Sequence, residues 1–357
     1  MTKRILLFSL IAVSISLGLY GLYDLYDLSV NSSHELTDLP ETTFPFSHNP
    51  EEKTTVVLRG KTLLLRSLPN SENSNYVIVK LVGSPDTFSV KKSKNARQEA
   101  YDVKFDLQDV PNGSYTVEIY CASQKYASYI GYVNGQSLRI TVHDSSIEFV
   151  EPLTLPKNQE VFSANQNDTD TLARYLKPSL KIESDHPALI DHARTITSGT
   201  FSDYDKAKAI HDWVSQNIWY DYDEFYNGIY NNKSALETLT SRTGVCIDYA
   251  SLTAALFRAV DIPAKLVTGY VLDASAQEVW TQDLIAGNKG NHVWNEVYID
   301  GRWLIMDTSY DSNNTFIDKT FSAGTGMKNR KYFDITIDLL SVDRYILPVQ
   351  LDPLRSR

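Results

Sequence analysis

The spacing of the apolar residues changes character near residue 152, and that change limits the fold more than any other feature of the chain. Between Thr54 and Pro152 the apolar residues come in short runs, the clearest alternation being Tyr115-Thr116-Val117-Glu118-Ile119-Tyr120. Successive residues of a strand face opposite ways, so such a run buries one face and wets the other. Turn formers separate the runs: Pro69-Asn70, Gly83-Ser84-Pro85, Pro111-Asn112-Gly113, Asn134-Gly135 and Asp144-Ser145. Several short strands at regular spacing predict an all-β sandwich domain over 54–152. Beyond a linker at 153–170 the period lengthens. Ala207, Ile210, His211, Val214 and Ile218 fall at steps of three and four, one face of a helix with Ser202 or Asp203 as N-cap. A loop rich in Tyr and Asn (220–232) leads to a short helix at Ala235–Leu239 and a longer one from Cys246 to Val260, stopped by Pro263. Strands return at Lys265–Val271 and in a hairpin around Asp300-Gly301. Residues 171–357 therefore read as one α+β domain.

The N-terminus bears on the compartment. Lys3 and Arg4 precede an apolar run from Ile5 to Tyr23, and Asp24 and Asp27 follow. Basic, apolar, acidic in that order marks an export signal whose basic end stays in the cytoplasm. The run is about 18 residues, the short limit for a spanning helix. Residues 1–28 therefore read as a signal peptide or a membrane-anchor helix, and both stay open. The expected location is outside the cytoplasm, either membrane-anchored facing outward or secreted. Residues 29–53, rich in Ser, Thr, Asn, Glu and Pro, read as a flexible tether. A chain that is 42% hydrophobic and 22% charged can bury a sizeable core. Its net charge of −10 argues against a nucleic-acid partner, because phosphate binding needs a basic face. Two cysteines, Cys121 and Cys246, exclude a disulfide-stapled scaffold. Cys121, closing a strand, reads as a buried structural thiol.

Cys246 is different. It follows Thr243-Gly244-Val245 and opens a helix, where unpaired N–H groups and the positive end of the helix dipole favour a thiolate and can receive an oxyanion. Alone, a Cys on the stripe Cys246, Tyr249, Ala250, Thr253, Leu256, Phe257 and Val260 is as well read as packing. The hairpin downstream changes that balance. Asp300-Gly301 between alternating strands is a strong hairpin signal. A two- or four-residue loop pairs Trp294 with Asp307 and His292 with Ser309, and puts His292, Trp294, Glu296, Tyr298, Trp303, Ile305 and Asp307 on one face. His292 and Asp307 are then diagonal neighbours, roughly 7 Å apart at the backbone. That supplies a base and the carboxylate that orients it. A three-residue loop would break the parity.

The same residues carry a family resemblance. Ser234–Leu239, Thr243–Ala250, Leu256–Tyr270, His292–Trp303 and Asp307, with Ala207–Val214 and Asn217–Asp221 upstream, resemble the transglutaminase-like superfamily and its exported bacterial members. The resemblance covers about Leu176 to Tyr345. It implies a papain-like α+β core with Cys246 as nucleophile, His292 as base and Asp307 as orienter. It also implies a side-chain donor near the oxyanion, for which Tyr220 and Trp219 are the candidates, although each also reads as a core aromatic closing a helix. Asp221, Asp223 and Glu224 form a loose carboxylate group without the ordered spacing of a calcium loop, so no metal and no cofactor are expected. His186, His192 and His211 have no ligand-type partners and read as structural. The expected activity is acyl transfer from peptide or side-chain amides through a Cys thioester. Hydrolysis of that thioester by a cysteine peptidase or amidase, or a non-catalytic cell-surface scaffold, are the alternatives. The expected partners are a protein or peptide substrate at the cell surface and, if the N-terminal helix is uncleaved, the membrane.

Overall fold

The computed structural model describes residues 41–45, 55–69, 76–83, 87–93, 100–122, 131–132, 138–167, 172–228, 231–273, 278–312, 315–317, 320–322 and 330–348. The expected signal or anchor at 1–28 lies outside them. Among the described residues no helix is long and apolar enough to cross a membrane.

The described residues between 41 and 149 form two antiparallel sheets. The first orders its strands Glu41–Pro45, Thr55–Arg59, Thr62–Pro69 and Ala100–Asp106. The second runs Ile147–Phe149, Leu138–Val142, Gly113–Ala122, Tyr76–Val82 and Thr87–Ser93, with Gly131–Tyr132 on the Gly113–Ala122 strand. Glu41–Pro45 falls inside the stretch read as a tether, yet it pairs with Thr55–Arg59 as an edge strand. Alternation makes these sheets one-sided: Leu138, Ile140 and Val142 are buried while Arg139 and Thr141 are not. Val56, Leu63 and Phe105 of the first sheet and Val79, Val117 and Ile140 of the second meet in one core. Cys121 lies within the Gly113–Ala122 strand, and its side chain is outside the described structure.

The C-terminal half is built on a four-stranded antiparallel sheet, ordered Arg302–Met306, His292–Ile299, Ala264–Val271 and Arg344–Ile346. The hairpin has the register that a two-residue loop sets, Asn295 opposite Met306 and Ile299 opposite Arg302. Asp300 and Gly301 both take positive φ, 51° and 83°, the backbone that a tight type I′ turn needs. One face of the sheet, with Leu266, Val297, Ile299, Leu304 and Met306, is covered by the helix Cys246–Arg258 and by Pro187–Ile196 and Asp203–Asn217. Ser202 caps the last of these through a bond from the Asp205 N–H, and Ser234 forms a capping box with Glu237 at the start of Ala235–Ser241.

Two features depart from the sequence reading. Residues 248–258 of the Cys246 helix are all buried, so burial extends beyond the one stripe that the spacing marks. And the segment read as a linker contains a 13-residue helix, Leu155–Asn167. Its apolar signal is weak because polar groups dock it: Asn158 bonds to Ser341, Arg344 and Ile346, and Gln166 exchanges two bonds with the Trp303 backbone.

Candidate active site

Cys246 sits where a short parallel bridge delivers the chain into its helix. Thr243 and Gly244 pair with Trp219 and Tyr220, and Asp248 reaches back to accept from the Val245 N–H at 2.9 Å. The first N–H groups of the helix have no partner within it, so the thiol lies at a positive helix end. Cys246 is a free, half-buried thiol.

His292 starts its strand and Asp307 lies just beyond the end of the next, both buried. His292 Nε2 is 2.7 Å from Asp307 Oδ2. With Nε2 donating to the carboxylate, Nδ1 is the ring nitrogen left for the thiol, with which His292 is hydrogen-bonded. Asp307 is fully engaged: Oδ1 accepts from the Ser309 hydroxyl at 2.8 Å and the Tyr310 N–H at 3.1 Å, and Oδ2 also accepts from Arg344 Nη2 at 3.0 Å. The imidazole is stacked on Trp294, with ring centroids 5.9 Å apart, and meets the edge of Tyr310 at 4.9 Å. Trp294 can lie there because its strand neighbour opposite His292 is Gly269. A Cβ at Gly269 would come within 2.1 Å of the indole.

The electrostatics follow from these contacts. Burial opposes an imidazolium at His292, but the Asp307 carboxylate and then the sulfur hold its pKa up at about 9. At Cys246 burial opposes the thiolate and Asp307 repels it. The hydrogen bond and charge of His292 and the Val293 N–H outweigh both, and the thiol lies below its ordinary value. Burial also opposes ionisation of Asp307, yet His292, Arg344 and the Tyr310 N–H keep its carboxyl far below the usual range. Both shifts run in the sense that favours a thiolate beside an imidazolium.

Of the two aromatic candidates before the Cys helix, Tyr220 reaches the sulfur. Its hydroxyl donates to the Cys246 side chain and accepts from the Cys246 backbone N–H. Burial first, and then the neighbouring sulfur, push the phenol well above its ordinary value, so it stays a donor. Trp219, the adjacent residue of the same strand, faces the other way and is half-buried.

The acidic residues 221–224 are used otherwise. Asp221 caps a short helix through the Glu224 N–H, and Lys233 places its ammonium 2.6 Å from Glu224 and 3.4 Å from Asp221. Among the described residues no three His, Cys, Asp or Glu side chains gather as a metal site. His186 caps the helix Pro187–Ile196 and His192 packs edge-on against Trp213. His211 differs from its sequence reading: Nε2 lies 2.9 Å from Asp311 Oδ2, both fully buried, with Asp212 at 3.5 Å from Nδ1. The bonds of Ser309 and Tyr310 to Asp307 lie outside the sequence expectations. The run Asp307-Thr308-Ser309-Tyr310 carries the signal, because an Asp side chain often bonds the backbone a few residues on. Arg344 has no local signal.

The transglutaminase-like superfamily model matches residues 190–308, which contain Cys246, His292 and Asp307. Residues 190–308 are transglutaminase-like. Over 132 residues the chain is 28% identical to kyphoscoliosis peptidase of Mus musculus and 26% to that of Homo sapiens. The match takes in 37% of this chain and spans 19% of each relative's own length. Among solved structures, a candidate cysteine protease from Cytophaga hutchinsonii aligns at 19% identity and a TM-score of 0.32, covering 76% of this chain and 79% of that one. The periplasmic domain of TgpA from Pseudomonas aeruginosa aligns at 15% identity and a TM-score of 0.29, covering 68% and 92%. Such low TM-scores decide nothing about this protein. What defines the transglutaminase-like domain here is the matched segment. Arg344 and the helix Leu155–Asn167 lie outside that segment.

Proposed function

We propose that this chain is an exported thiol enzyme that transfers acyl groups from amides through a Cys246 thioester. The observation that carries this reading is the one His292 ring held between Asp307 at 2.7 Å and the Cys246 thiol at a helix N-terminus. The thiolate adds to the amide carbonyl carbon, and the carbonyl oxygen becomes an oxyanion. The Cys246 N–H and the Tyr220 hydroxyl, which bond each other in the free protein, turn to that oxygen. The imidazolium gives its Nδ1 proton to the leaving nitrogen as the C–N bond breaks, leaving a thioester and a neutral imidazole. An acceptor amine then attacks the thioester and loses its proton to His292. The thiolate leaves, and the imidazolium is restored. Asp307 keeps the ring in the working tautomer and is not itself protonated.

Water in place of the amine gives hydrolysis with the same residues. The partial likeness to kyphoscoliosis peptidase favours that as the second reading. The two N-terminal sheets then serve as a sandwich domain that sets the site off from a tethered N-terminus, toward a protein or peptide substrate at the cell surface.

The test is alkylation of Cys246 by iodoacetamide at pH 7, read by peptide mass. A free thiol with pKa near 8.5 is only about 3% thiolate there. His292→Ala should therefore slow labelling by roughly 30-fold, and Cys246→Ala should abolish amine incorporation into a glutamine-containing protein. Equal labelling rates with and without His292 would leave a scaffold instead. Release of ammonia or a peptide fragment without amine incorporation would select hydrolysis.

A further inference from the structure

Arg344 has a position unusual for a cation. It is fully buried, on a short strand fixed by pairing with Val271 and by the bond from Asn158 to its carbonyl. Its guanidinium lies between the rings of Tyr332 and Tyr310, 3.7 and 4.4 Å from their centroids. Nη2 donates to Asp307 Oδ2 at 3.0 Å, the same oxygen that takes His292 Nε2, and Nη1 donates to Asp343 Oδ1 at 2.6 Å. One carboxylate oxygen thus serves two groups that are cationic together whenever the imidazole is protonated. We propose that Arg344 is a positioning residue for the Cys246–His292–Asp307 unit: its guanidinium, bridged between Asp343 and Asp307, holds the Asp307 carboxylate toward His292 and sets the pH window in which the thiolate–imidazolium pair exists. This rests on the thiol chemistry proposed above.

The physical case is one of charge and fixed geometry. A guanidinium stays charged at any pH at which the protein is folded, and its planar fork spans two carboxylates here with one bond to each, which fixes the distance between them. Placed on Asp307, it draws off part of the attraction that the carboxylate exerts on the imidazolium. The same positive charge favours the thiolate across the ring. Arg344 therefore pulls both the formation of the thiolate and the loss of the imidazolium proton toward acid. The other ionisable groups facing the pair are few. Tyr220 stands on the Cys246 side, and Tyr310 and Tyr332 enclose the guanidinium, all three held neutral by burial. Asp311, on the turn after Asp307, is fully buried, bonded to His211 and repelled by Asp307. The remaining charge is Asp343, at 30% exposed the one member of the chain of charges that reaches solvent. It neutralises part of the guanidinium and so works against it.

The two partners of Arg344 give predictions of opposite sign. The rate of Cys246 alkylation would be followed from acid to alkaline pH on the full chain, with folding checked by circular dichroism. Arg344→Gln should shift both limbs of the profile to higher pH by roughly one unit, the size expected for one near charge. Asp343→Asn should shift both limbs to lower pH, because the guanidinium then has one counter-anion fewer. Arg344→Lys keeps the charge without the fork. It should leave the limbs in place and lower the plateau rate. Asp343 is partly exposed, so its variant carries the test if Arg344→Gln does not fold. An ion-pair profile in the wild type with limbs unmoved in Asp343→Asn would overturn the role of Arg344 alone. A wild-type profile of a simple thiol near 8.5 would overturn both this role and the enzyme reading.

Discussion

Asn158 holds the outer edge of the strand that carries Arg344 by two bonds: its amide donates to the Arg344 carbonyl at 2.9 Å, and its side-chain oxygen accepts the Ile346 N–H at 2.8 Å. A side chain from the segment that joins the two halves thus fixes the far edge of the site's sheet. A chain beginning at residue 153 keeps this contact, and one beginning at residue 171 loses it together with the Gln166 bonds to Trp303. The shorter chain should lose rapid Cys246 alkylation and unfold at lower denaturant, whereas the longer one should label like the full protein. Equal labelling by the two would show that the helix Leu155–Asn167 is dispensable.

In Cys246→Ser, which removes the thiol whose lowered pKa contributes in the opposite sense, stability should fall as pH rises from about neutral to alkaline. The pKa of His292 is raised in the folded protein, to about 9 from an ordinary 6.5. The stability it contributes is fully present below pH 6.5 and is lost as pH climbs through about 9. Urea unfolding at pH 6, 7.5 and 9 measures this. Asp307→Asn, which removes the charge that raises the pKa, should flatten the dependence. A steeper slope in that variant would contradict the assignment.

Gly269→Ala should destabilise the protein by about 1–3 kcal/mol or more, the usual cost of overpacking. The added methyl meets the Trp294 ring and the Tyr345 carbonyl well inside contact distance, and that carbonyl is backbone rather than a flexible side-chain tip that could swing aside. Trp294 is the ring stacked on His292, so the plateau rate of Cys246 alkylation should drop with the stability. Denaturant unfolding and labelling on one preparation test both. A fully stable variant would mean that the indole has somewhere else to go.

Lys265→Met should cost about 3–5 kcal/mol. Lys265 Nζ lies 2.8 Å from Glu296 Oε2 with both side chains buried, and 4.0 Å from the centre of the Trp303 ring. Removing the cation strands a carboxylate in the sheet, whereas Lys265→Met with Glu296→Leu removes both charges and should recover most of the loss. Thermal melts of the single and double variants decide it. A double variant no better than the single would place the cost in the lost Trp303 contact.

Much of the site was legible because its spacing rules are local. A strand's two-residue period and the φ > 0 demand of Asp300-Gly301 put His292 and Asp307 on one face before any tertiary contact is known. A glycine turn followed by a helical stripe likewise puts Cys246 at a helix start. The change of period near residue 152 separated a strand-rich part from a mixed one. Other features depended on residues far apart in the chain. The helix at 155–167 has too weak an apolar stripe to be seen, because it is held by amide hydrogen bonds to residues 303–346. The Cys246 helix reads as one stripe because residues off it include the polar Asp248, Ser251 and Arg258, and only the tertiary packing shows that these are buried too. His211 and Asp311 stand 100 residues apart, and Arg344 and Asp307 stand 37 apart. The sequence by itself determined which backbone segments could be strand or helix and which side chains could share a face, because those follow from local geometry. The tertiary structure decided which charges meet in the interior, because a buried carboxylate takes whichever cation the folded chain brings to it.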